Sequence, residues 1–119
     1  MILLDTNIFI YLANGTLAAE TISGTDIAHA SITKIEALGF STIPANQLLL
    51  LSSLFEESQN LDPSNLVVTQ AIKLRQAKRM TLGDAIIAAT AIEYNLELWT
   101  ANTDDFKHIE NLRVINPLD

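Results

Sequence analysis

Short apolar runs alternate with helical segments along this chain, and that alternation limits what it can fold into. ILLD at 2–5 reads as a buried strand, followed by a helix beginning near Thr6 or Asn7. DIAHAS at 26–31 reads as a second strand, and TKIEALGF at 33–40 starts a helix. In PANQLLLLSSLFEE, Pro44 sits near the first turn, the usual place for proline in a helix. The polar stretch ESQNLDPSN has room for a short strand, and its Asp62–Pro63 pair is expected to act as N-cap and first residue of the next helix. That helix should run to Arg79 with Leu66, Val67, Ala71 and Leu74 on one side. TLGDAIIAATAIEYN follows as another helix that Asn95 ends. ELWT at 97–100 and LRVIN at 112–116 read as strands on either side of the polar loop ANTDDFKHIEN. The pattern is that of an α/β fold with a mostly parallel central sheet flanked by helices, three layers in all. No repeat or linker divides residues 1–119, so a single domain is expected.

Composition removes several chemistries. The chain has no cysteine, which excludes disulfides and thiolate metal sites and suits a cytoplasmic protein. MILLDTNIF lacks a basic start and reaches an acid at position 5, unlike a signal peptide, and NQLLLLSSLFEE is too short to span a bilayer. No Gly-rich phosphate loop and no GxSxG elbow is present. His29 and His108 are isolated and offer no zinc spacing; His29 reads as a structural strand residue and His108 as a surface one.

The acids are informative by position. Asp5 ends the first strand, Glu36 is expected in the first turn of the helix after the second strand, and Asp84 in the first turn of its own helix. Asp104 and Asp105 follow the strand ELWT. In an open parallel sheet, strand C-termini and the following helix N-termini meet along one edge, where ligands bind. Taken singly, each acid has a local explanation: Thr81-x-x-Asp84 and Thr33-x-x-Glu36 resemble capping boxes, and Asp5 can cap the first helix. Capping does not explain why all of them should converge on one edge. Like charges brought together destabilise each other, and a divalent cation removes that penalty. All-oxygen ligation suits Mg²⁺ or Mn²⁺.

Fourteen acids against seven bases give a net charge of −7, which argues against nucleic-acid binding by global charge. Four of the seven bases fall in KLRQAKR, as Lys73, Arg75, Lys78 and Arg79, either a solvated helix face or a local phosphate contact.

ILLDTNIFIYL, SITKIEALGF, MTLGDAIIAATAIEYNLELWTANTDDF and the closing LRVINP together resemble the PIN domain family, particularly VapC-type toxins of toxin–antitoxin pairs. The resemblance covers essentially the whole chain. It implies a Mg²⁺- or Mn²⁺-dependent endoribonuclease, with Asp5, Glu36 and Asp84 at the metal. The fourth acidic position of the family falls at Thr100-Ala101-Asn102, where this chain offers an amide, so Asp104, ahead of Asp105, is the candidate for the missing charge at the metal, and one tightly held ion is expected rather than two. Thr6, Asn7, Thr100 and Asn102 match groups that orient the acids. The implied chemistry is metal-assisted phosphodiester hydrolysis, with Glu36 or Asp104 orienting the attacking water and with 5′-phosphate and 3′-hydroxyl products. Lys34, Lys78 and Arg79 are candidate RNA contacts. A homodimer and a cognate antitoxin are implied as partners, with apolar surface around IFIYLA and LLLLSSLF either docking face or core. A housekeeping RNA-processing nuclease and a catalytically silent binding module are the alternatives, the latter favoured by Asn102. A receiver domain would need adjacent acids after the first strand, and only Asp5 is there.

Overall fold

The computed structural model describes all residues, 1–119. Strand β1 (Ile2–Leu4) leads into α1 (Thr6–Asn14), which ends at Gly15 in the left-handed region. A 3-10 turn (Ala19–Ile22) precedes β2 (Ile27–Ala30), α2 (Ser31–Leu38), α3 (Ala45–Glu57) and β3 (Gln59–Leu61). Helices α4 (Asn65–Ala77) and α5 (Leu82–Glu93) follow, then β4 (Glu97–Trp99), a 3-10 turn (Thr103–Asp105) and β5 (Val114–Ile115). All four strand pairings are parallel, in the order β3-β2-β1-β4-β5. The chain therefore winds outward from β1 to β3, then returns to the other side of β1 with β4. The order reverses between β1 and β4, and the crevice beyond their C-terminal ends is the natural ligand site of such a sheet.

Side-chain alternation along each strand assigns the two faces. Leu3, Ala28, Ala30 and Leu98 pack with Val67, Ala71 and Leu74 of α4 and with Ala85, Ala88 and Ala89 of α5. Ile2, Leu4 and Ile27 face the other way, onto Ile8 and Phe9 of α1, Ala37 of α2 and Leu51 and Phe55 of α3. Helices thus cover both faces, giving the expected three layers. Helix α5 is apolar nearly all round because it is buried nearly all round, and its alanines let it lie close to the sheet.

Four local expectations are corrected. Ala30 passes directly into α2 with no loop and no side-chain cap, so Thr33 is buried within the helix and Glu36 falls beyond its first turn. The Thr33–Glu36 capping box does not form. Ser64, not Asp62, caps α4, its Oγ accepting from Val67 N at 3.2 Å. The Asp62 carboxylate is already occupied by Ser31 Oγ at 2.9 Å and Asn60 Nδ2 at 2.7 Å. Helix α4 stops at Ala77, and Leu66 is 68% exposed, since it sits about 100° around the helix from the buried Val67.

His29 is structural. Its ring packs edge-on against Phe9 and Phe55, which stack on each other 4.2 Å apart, and Nδ1 lies 2.7 Å from Ser58 Oγ. Burial, helped by the nearby Lys34 charge, lowers its pKa from 6.5 to about 4. The unfolded chain therefore takes up a proton between pH 6.5 and about 4 that the folded chain resists, so this residue withdraws stability as pH falls through that window. Relative to His29→Leu, the protein should lose about 3 kcal/mol of stability from pH 6.5 to about 4, read from denaturant melts at stepped pH. Parallel stability profiles for the two proteins would contradict this.

Candidate metal centre and cleft

Asp5 leaves β1 with its backbone still in the ladder, its N–H donating to Trp99 O at 3.0 Å. It caps α1, with Oδ1 accepting from Thr6 N at 2.7 Å. Oδ2 accepts from the buried Thr100 hydroxyl at 2.7 Å, and Thr100 Oγ1 in turn accepts from Asn102 N at 3.0 Å. Both carboxylate oxygens are held, yet the side chain is only 5% exposed. Burial raises its pKa most, the Thr100 and Thr6 bonds oppose that, and the charges of Glu36 and Asp105 raise it further.

Glu36 reaches the same point from α2, its Oε1 accepting from Thr6 Oγ1 at 2.8 Å. Asp84 arrives from α5, in the first turn as expected, with its N–H donating to the Thr81 hydroxyl at 3.1 Å. The Thr81 cap is therefore real, and it is made to the Asp84 backbone N–H. Burial raises the Asp84 pKa, and Asp5, Asp105 and Glu36 add to the rise against the Thr81 contribution. Three elements and the loop after β4 thus deliver four mutually repelling acids to one crevice.

The fourth acid is Asp105. Its charge is felt at both Asp5 and Asp84, whereas the exposed Asp104 turns to Lys107 at 3.2 Å. That is the only ion pair in the chain, so no lysine or arginine neutralises Asp5, Glu36, Asp84 or Asp105. Asn102 contributes through its backbone N–H while its side chain is exposed, and Asn7 joins none of these bonds.

No three His, Cys, Asp or Glu side chains are drawn together tightly enough to cage an ion by themselves. This donor set still fits Mg²⁺ or Mn²⁺. Mg²⁺ keeps several waters and takes only one or two protein carboxylates directly, the rest of its charge being balanced at longer range. The uncompensated acids around Asp5 supply that balance, and the absence of thiolate or imidazole among them disfavours zinc.

Asp84, Asp104 and Asp105 also line a cleft of about 480 Å³, and Arg75, Lys78 and Arg79 line the same cleft. Lys34 is not there. It lies two residues from Glu36 on α2, about 200° around the helix, and its charge acts on His29. Of the basic run, Arg75 joins Lys78 and Arg79 in the cleft, and His108, expected at the surface, lines it as well. Arg75 was legible, standing three and four residues before Lys78 and Arg79. His108 was not: its ring nitrogens are buried without a hydrogen-bond partner, between the buried anchors Phe106 and Ile109. Nothing in the local pattern announces that. The expectation of a surface histidine is therefore corrected.

The PIN domain model matches residues 2–112. The Ribonuclease VapC of Rickettsia bellii (strain RML369-C) is 32% identical over an alignment covering 96% of this chain and 94% of that protein. A toxin–antitoxin complex from Klebsiella pneumoniae superposes with a TM-score of 0.78 at 30% identity, covering 98% of each chain. VapBC2 from Rickettsia felis, bound to a DNA fragment from its promoter, gives 0.80 at 27% identity over 98% of each chain.

The electrostatics carry a stability consequence. A carboxylate whose folded pKa is raised contributes stability below its unfolded value near 3.8, and that contribution is lost as pH rises through the folded value. Without metal at neutral pH, Asp84→Asn should therefore melt higher than the parent protein. The advantage should shrink as pH is lowered toward 4. Adding Mg²⁺ or Mn²⁺ should stabilise the parent more than the variant. A lower metal-free Tm for Asp84→Asn at neutral pH would refute the repulsion.

Proposed function

The chain belongs to the PIN domain family, and on that premise we propose that it is the endoribonuclease toxin of a VapBC-type toxin–antitoxin pair. The observation that carries the catalytic part is Asp5: buried, fixed by Thr6 and Thr100, and surrounded by Glu36, Asp84 and Asp105 with no cation of the chain to balance them. A bound Mg²⁺ or Mn²⁺ would supply Lewis-acid polarisation of a phosphate oxygen and an acidified water. Asp5 and Asp84, the two most constrained acids, are its proposed protein ligands, with Asp105 and Glu36 completing the negative field. Thr6 holds Glu36 where it can orient the attacking water, and hydrolysis would leave 5′-phosphate and 3′-hydroxyl ends. Asp104, tied to Lys107, sits at the rim of this arrangement.

Arg75, Lys78 and Arg79 in the cleft supply the phosphate grip that the net charge of −7 denies the protein as a whole. The antitoxin is proposed to occupy apolar surface near the α1–α2–α3 junction, where a groove of about 210 Å³ is lined by Ile10, Ala37, Phe40, Ile43 and Leu51. LLLLSSLF divides accordingly: Leu51 and Phe55 are core, while Leu48, Leu49 and Leu50 are exposed and available to a second copy or partner. No helix is long and apolar enough to cross a membrane, and a toxin acting on RNA is placed in the cytoplasm. Asn102 does not by itself favour a silent module, because Asp105 brings charge to the crevice.

Purified protein should cleave RNA with Mg²⁺ or Mn²⁺ and not with EDTA, and Asp84→Asn should lose at least about a hundredfold in rate. Metal-dependent cleavage that survives Asp84→Asn would overturn the site. In the inactive Asp84→Asn background, replacing Lys78 and Arg79 by Gln should weaken RNA binding uniformly across sequences. The slope of log K against log salt should flatten by roughly one per lost contact. An unchanged affinity and slope would remove these residues from the interface.

A further inference from the structure

Glu36 is exposed and stands on α2, away from the strand end that holds Asp5, and two contacts hold its carboxylate at the crevice. One restraint is the Thr6 hydroxyl on Oε1 at 2.8 Å. The other oxygen faces α5 at Gly83, the residue immediately before Asp84. A Cβ built on Gly83 would stand 2.9 Å from Glu36 Oε2 and 3.5 Å from both Cδ and Oε1. A carbon–oxygen approach of 2.9 Å is inside contact distance. Gly83 has ordinary helical geometry, so its backbone does not require glycine.

Helix propensity makes the choice of residue more telling. Glycine in a helix is unfavourable relative to alanine. At this position the chain keeps the poorer helix former, and the three nearest atoms an added methyl would meet outside its own helix are those of the Glu36 carboxylate. That carboxylate is the far end of a flexible, exposed side chain, so folding could accommodate alanine simply by letting Glu36 swing away. The site could not, because the swing breaks the Thr6 bond and withdraws one charge from beside Asp5 and Asp84.

We propose that Gly83 is a positioning residue: its missing side chain admits the Glu36 carboxylate to the acidic crevice, at some expense to the helix that carries it. The proposal rests on the nuclease reading of that crevice. Gly83 touches neither substrate nor metal and acts only through Glu36, with Thr6 and Gly83 forming the two walls of a slot one carboxylate wide.

The test is Gly83→Ala, alone and combined with Glu36→Ala. The metal-free Tm of Gly83→Ala should be unchanged or a few degrees higher. Its RNA cleavage should fall on the order of 10- to 100-fold, the loss expected from misplacing one group by about 1 Å. The Mg²⁺ or Mn²⁺ concentration giving half of the thermal stabilisation should rise in parallel. Because the effect passes through Glu36, adding Gly83→Ala to Glu36→Ala should change neither cleavage nor the metal titration further. Wild-type cleavage and metal response in Gly83→Ala would overturn the proposal, as would an equal loss in the Glu36→Ala background or a substantially lowered metal-free Tm. A parent protein that does not cleave RNA would refute the nuclease reading instead, and the Glu36-dependent metal titration would still decide the role of Gly83.

Discussion

The hydrogen bond from the Thr100 hydroxyl to Asp5 Oδ2 ties together the ends of the two strands between which the sheet reverses its order. A backbone bond from Asp5 N to Trp99 O locks the same junction one step earlier. Glu36 and Asp105 take their places from there. Helix α1 starts at Asp5, which puts Thr6 in reach of Glu36. The chain after Thr100 is turned by the Asn102 N–H bond into the 3-10 turn that carries Asp105. Removing the Thr100 hydroxyl would leave a buried carboxylate oxygen unsatisfied, a far more expensive state than an unpaired surface acid. Parallel strands can hold such a residue at their ends because the ladder continues on both sides of β1.

The acids differ in how firmly they are held, and the order makes chemical sense. Asp5 has both oxygens bonded, and Asp84 sits on a helix whose alanine-rich faces are buried almost completely. These two are where a ligand should be rigid. Asp105 hangs from a short turn pinned by the buried Phe106, and Glu36 is positioned by contacts at its tip. Groups that orient water or tune charge tolerate that looser support better than direct ligands do.

Much of this could be read in the chain because strand ends and helix starts are local signals. Asp5 after an apolar triplet and Asp84 three residues after Thr81 both landed where those signals put them. Glu36 was legible as an acid of that edge but not in its setting. The Thr33 capping pattern is local, whereas the direct passage from Ala30 into α2 is dictated by the pairing of β2 with β1 and β3. The choice between Asp104 and Asp105 turns on one residue within a 3-10 turn, which no periodicity encodes. Lys34 and Glu36 look adjacent in sequence, yet two residues along a helix separate them by more than half the possible rotation. His108 needed its flanking anchors, and those are tertiary.

The cleft also resolves the conflict between an acidic protein and an anionic substrate. Helix α4 contains no acid, and Arg75 near its C-terminus, with Lys78 and Arg79 beyond it, stands where the helix dipole favours cations. The dipole explains why bases are tolerated there. It does not explain why they share a cleft of about 480 Å³ with Asp84 and Asp105 without pairing to either. Opposite charges that share a cleft without meeting leave room for a third party. A cation alone would satisfy the acids and strengthen the field of the bases; a phosphate alone would do the reverse. Only the two together would neutralise both the acids and the bases of the cleft. On the nuclease reading, metal and RNA therefore bind with positive coupling, each raising the affinity of the other by the same factor.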